Sequence, residues 1–107
     1  MADDTKVVCR TPTEGKRPTR IDRWKFDTVR EAILEVVPPE GDGILFRDLP
    51  KLVKGKLPRW LPGELGSIGW YATTVKLELE VRGEIARVEG SKPQRLIRLK
   101  RSAEGGG

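Results

Sequence analysis

Few side chains in this 107-residue chain could carry out covalent or acid–base chemistry. Histidine is absent and Cys9 is the single cysteine. Ser–His and Cys–His nucleophilic pairs are therefore excluded in their usual forms. A zinc site built from several thiolates or imidazoles is excluded as well. No GxxxxGK[ST] or GxGxxG run offers a phosphate cradle. Glu78 and Glu80 are the most suggestive carboxylates, but on one helix they point about 200° apart and cannot share a substrate. Their simpler role is a solvated or ion-paired helix surface. No catalytic residue, cofactor, metal or small-molecule substrate is expected.

The side chains that remain are suited to binding. The net charge is +5, and its distribution is uneven. Residues 10–25 carry net +4, residues 82–101 net +5, and residues 26–81 between them net −2. Two basic ends around a mildly acidic middle match the electrostatic footprint of a polyanion binder. Solubility alone is the plainer explanation of such charge.

These side chains need elements to position them. Residues 1–18 show no apolar period and contain Pro12, Gly15 and Pro18, so they read as a flexible basic arm. A folded domain is expected over 19–100, followed by a flexible tail at 101–107. A first helix follows Thr19 or Asp22 as N-cap. Its apolar face is Ile21, Trp24, Val29, Ala32, Ile33, Val36 and Val37, and Pro38-Pro39 ends it. Ile44–Phe46 reads as a short edge strand. A second helix starts at Asp48, with Pro50 in its first turn and Leu49, Leu52, Val53 and Leu57 on one face. A third runs from the cap Ser67 to about Arg82, where Gly83 suits the left-handed terminal position. Its core face is Ile68, Ala72, Val75 and Leu79, while Trp70, Leu77 and Val81 form a second apolar stripe nearly opposite. Residues 84–88 and 95–99 read as a hairpin around Gly90 and Pro93. Its inward side is ambiguous, because Ala86, Val88 and Leu96 compete with Ile85, Ile97 and Leu99.

Three helices closed by a small antiparallel hairpin define an α+β winged helix-turn-helix. The junction Val75–Ile85 (VKLELEVRGEI) resembles the passage from recognition helix to wing in that superfamily. Leu79 lies four residues before Gly83, and Ile85 opens the wing. Thr19–Lys25 (TRIDRWK) and Leu65–Tyr71 (LGSIGWY), with the Gly83-Glu84-Ile85 ending, resemble a small family of bacterial proteins of unknown function. That resemblance spans residues 15–98 and implies a fold but no activity.

Two functions follow as expectations. In the first, the chain is a regulatory protein that binds double-stranded DNA with weak sequence specificity. Ser67, Thr73, Thr74 and Lys76 of helix three face the major groove. Arg87, Lys92 and Arg95 of the wing and Arg20 and Arg23 near the arm hold phosphates. No arginine, asparagine or glutamine in the N-terminal half of helix three is available for a bidentate base contact. In the second, Trp60, Trp70, Leu77 and Val81 form a protein interface, most simply of a homodimer. The connection over 58–66 is longer than the roughly three or four residues of a tight helix-turn-helix. One cysteine, no apolar leader over 1–20 and no run near the roughly 20 apolar residues of a membrane span make the cytoplasm the expected location.

Overall fold

Helix α1 (Arg23–Val36) follows the apolar spacing Phe26, Val29, Ala32, Ile33, all buried, and stops before Pro38. The computed structural model describes residues 6–12, 15–61, 63 and 66–99. The expected tail at 101–107 lies outside these, as do 1–5, 13 and 14 of the expected arm. Two details of α1 correct the sequence reading. Trp24, expected inward, is 46% exposed, and Phe26 takes its place in the core. Five residues separate Trp24 from Val29, which turns it about 140° away from the buried face. Neither Thr19 nor Asp22 caps the helix with its side chain. The Asp22 carboxylate is taken by Lys6 at 2.7 Å instead.

The second correction is larger. Part of the expected arm forms strand β1 (Lys6–Cys9), antiparallel to β2 (Thr19–Asp22). Its side chains alternate, so Val7 and Cys9 are buried while Lys6 and Val8 face out. Ile21 reaches the core from β2 rather than from a helix.

Strand β3 (Ile44–Leu45), a 3₁₀ turn (Phe46–Asp48) and helix α2 (Leu49–Lys56) come next. Pro50 sits in the first turn, as its missing amide permits. Leu49 and Val53 are fully buried, and Leu52 is exposed. Helix α3 (Ile68–Arg82) is bounded by local signals. Ser67 Oγ accepts from the Trp70 amide at 3.1 Å. At the other end Gly83 adopts φ +78°, and the amides of Gly83 and Glu84 donate to the carbonyls of Glu80 and Leu79. This is the Schellman arrangement, in which glycine supplies the left-handed residue without a Cβ penalty. Ser67→Ala should cost about 1 kcal/mol, the usual value of a lost N-cap. A chemical denaturation midpoint read with and without the hydroxyl checks it.

Strands β4 (Ile85–Arg87) and β5 (Arg95–Arg98) form the wing, and β3 joins them in the order β3-β5-β4. Register settles the question of which side faces inward. Ile85 pairs with Arg98 and Arg87 with Leu96, so these four share one face. Ile85 and Leu96 are buried on it, one from each of the two competing sets. Ala86 and Ile97 take the other face, and Leu99 is exposed. The core joins Val7, Cys9 and Ile21 to α1, α2, α3 and the wing. Among the described residues the result is α+β, with three α-helices and two small antiparallel sheets in a layout consistent with a winged helix.

Candidate functional site

Helix α3 carries more of the candidate residues than any other element, and buried charge clamps it on two sides. On the first side, Glu78 is 1% exposed. Its carboxylate accepts from the Arg10 backbone amide at 2.7 Å, from Arg10 Nε at 3.0 Å and Nη2 at 2.7 Å, and from Arg82 Nε at 2.8 Å. Arg82 also lies over the Phe26 ring, 4.8 Å from its centroid. Burial by itself would push the Glu78 carboxyl up. The hydrogen bonds from Arg10 and Arg82 outweigh burial and bring it down to about 2. Neighbouring Cys9 is pushed up to about 11, first by burial and then by the Glu78 charge. A buried thiol of that kind is unreactive at neutral pH.

On the second side, Lys76 is 1% exposed. Its ammonium pairs with Glu80, donates to Gln94 Oε1 at 3.0 Å and lies 4.5 Å from the centroid of Phe46. Burial pulls the Lys76 pKa down, and Glu80 offsets part of that effect. Glu80 in turn accepts from Arg87 Nε at 3.1 Å. The network ties α3 to the wing. A third ion pair, Arg30–Glu84 at 2.8 Å, joins α1 to the start of the wing.

These contacts rearrange the expected DNA-contacting set. Lys76 does not face outward, because the wing and Phe46 cover it and Glu80 holds its charge. Arg87 lies on the inward face of the wing and is drawn to the same glutamate. Ser67 is exposed, with its hydroxyl oxygen engaged in the helix cap. Thr73 and Thr74 are half-buried. Arg20 is exposed on β2, and Arg23 is exposed at the start of α1 with Nη2 3.5 Å from the Lys6 carbonyl. Lys92 is exposed in the wing turn, and Arg95 is half-buried with its amide held by Ser91 Oγ at 3.0 Å.

Among the residues of the second apolar stripe, Trp70 is 46% exposed. Leu77 and Val81 are half-buried yet stand outside the core cluster. Trp60 is 66% exposed in the α2–α3 connection. The sequence reading did not anticipate what lies beside Trp70. Its ring meets Tyr71 edge-on at 4.9 Å, and Lys25 lies 5.5 Å from the Tyr71 ring and 5.6 Å from that of Trp24. Lys25 and Tyr71 are far apart in sequence, so only the packing of α1 on α3 reveals the cluster. Also missed are the cations Arg47, Lys51, Lys54, Lys56 and Arg59, all exposed along α2 and in the turns just before and after it.

Among the described residues no group of three or more His, Cys, Asp or Glu side chains is placed to hold a metal ion. No described helix is long and apolar enough to cross a membrane. The fold and the clamped third helix define a small α+β domain whose layout is consistent with a winged helix. The chain belongs to a family of unknown function, DUF6958, which it matches over residues 6–96. That span begins at the first residue of β1 and ends within β5. No curated protein and no solved structure matches the chain.

Proposed function

We propose that this protein is a protein-interaction module that pairs with a second copy of itself through the outward face of α3. The observation that carries this reading is the character of that face. At about 100° per residue, Trp70, Thr73, Leu77, Glu80 and Val81 lie 120–160° from Val75, and the one charge among them, Glu80, is held by Lys76 and Arg87. The lysine of α3 is buried elsewhere, so the strip holds no free cation for phosphate. A helix that reads DNA needs donors and cations at this place. An exposed tryptophan beside two half-buried aliphatic side chains instead suits the apolar core of an interface, with Trp70 as its anchor. Self-association also favours a neutral strip on a chain of net charge +5, because like charges brought face to face repel.

Sedimentation over a wide concentration range tests the reading. Wild type should shift from monomer to dimer. Trp70→Ala and Leu77→Glu should each weaken association by roughly thirtyfold or more, the effect of an interface hot spot, with an unchanged circular dichroism spectrum. A wild type that stays monomeric throughout ends the proposal.

One observation favours duplex DNA as a second reading. Arg20, Lys92 and Arg95 have no carboxylate partner among the described residues. Three such cations give weak binding with a log–log salt slope of about −3 and little sequence preference. Arg95→Glu lowers that affinity for every duplex, and a labelled duplex that stays free at low salt eliminates the reading.

A further inference from the structure

The exposed cations of α2 and the turn that follows it form a surface that neither reading uses. Lys51 and Lys54, three positions apart, share one side of α2, and Arg47 stands in the 3₁₀ turn that leads into it. All three are exposed, and none has a carboxylate partner among the described residues. Lys56, off this side, is drawn 3.8 Å from Glu35.

The chain then makes a hydrogen-bonded turn, with the Leu61 amide donating to the Pro58 carbonyl at 3.0 Å. Leu61 is 2% exposed and anchors the turn in the core. The two central residues, Arg59 and Trp60, are thereby turned out to solvent. Arg59 has no carboxylate partner among the described residues, and Trp60 is 66% exposed. An anchored turn just past the C-terminus of α2 thus presents an exposed indole next to Arg59 in the chain.

We infer that this surface binds single-stranded nucleic acid without sequence preference. The cations take the phosphates, and Trp60 stacks on an unpaired base. Positive charge with an aromatic platform is the arrangement single strands require. A duplex keeps its base faces stacked and offers Trp60 nothing, so the indole selects the single strand. None of these residues lies on α3 or in the duplex-binding set, so the inference stands or falls apart from both readings above.

The test is the fluorescence anisotropy of a labelled oligothymidylate titrated with the full chain at low salt, with inorganic polyphosphate as a competitor that carries charge but no base. Four cations on phosphates give a single-strand slope of about −0.7 each, hence a roughly fiftyfold loss of affinity for a fourfold rise in salt. Trp60→Ala should weaken the oligothymidylate by roughly 5- to 150-fold, the worth of one stacked base, and leave polyphosphate competition unchanged. Trp60→Phe should retain most of the affinity. The double variant Lys51→Glu/Lys54→Glu should lose both ligands. The inference is overturned if oligothymidylate does not bind, if Trp60→Ala binds as wild type does, or if a duplex of equal length binds as tightly as the single strand.

Discussion

Gly43→Ala should lower the melting temperature of the domain by about 12–24 °C, corresponding to about 3 kcal/mol at the usual entropy of unfolding for this size. Two penalties combine. Gly43 has φ +74°, where an L side chain costs about 1–2 kcal/mol. A Cβ placed there would also lie 2.1 Å from the Leu96 carbonyl oxygen. That oxygen belongs to the backbone of β5, the central strand of its sheet, which β3 and β4 hold from both sides. It cannot withdraw without disturbing the pairing of Ile44 with Leu96. Gly41 supplies the control, since its φ is +82° but a Cβ there meets nothing within 4 Å. Gly41→Ala should cost only the conformational part. Equal losses in the two variants would show that the sheet gives way freely at Leu96.

Glu78→Gln should be the other strongly destabilising change, by about 2 kcal/mol. The substitution keeps the volume and one acceptor oxygen but removes the charge that two guanidinium groups share. Both arginines can turn partly to water, which holds the cost below that of a fully enclosed pair. The dependence on pH has a definite sign. The folded-state pKa lies at about 2, below its ordinary value of 4.5. The charged carboxylate therefore favours the folded state fully above pH 4.5, and that contribution is lost as pH falls towards 2. The gap between wild type and Glu78→Gln should close over the same range. Cys9, 3% exposed beside this cluster, supplies a second readout. Loosening of β1 should speed its reaction with a thiol reagent, and an unchanged rate would show that the strand stays docked without the charge.

The parts of the fold that were legible in the sequence are those written in local signals. Ser67 and Gly83 bound α3 because a cap and a left-handed glycine act within one turn. The helix–glycine–wing junction is local in the same sense. What was not legible depends on partners far along the chain. Four residues of alternating pattern in β1 are too few to stand out, and Arg10 meets Glu78 across 68 positions. The burial of Lys76 is decided by Gln94 and Phe46, which no helical wheel contains. Trp24 and Phe26 traded places because spacing from Val29, not the size of the side chain, sets which residue turns inward on the helix. The cations of α2 were hidden by averaging. They lie within residues 26–81, whose net charge is −2, although 47–59 alone is net +4.

For the candidate surfaces, the sequence placed Trp70, Leu77 and Val81 on one stripe, and exposure of Trp70 accords with that. It could not show that the neighbouring cations Lys76 of α3 and Arg87 of the wing are both spent on Glu80.

The contact between β1 and α3 also bears on where the smallest autonomous piece of this protein begins. A fragment starting at Thr19 would retain every helix and the whole wing. It would lack Arg10, leave the edge of β2 unpaired and open Val7's place in the core to water. Such a fragment should be prone to pair its bare β2 edge with a neighbour, as uncovered strand edges do. Design of shortened versions should therefore keep Lys6 and all that follows it, treating a segment that looks dispensable in the sequence as the piece that closes the fold.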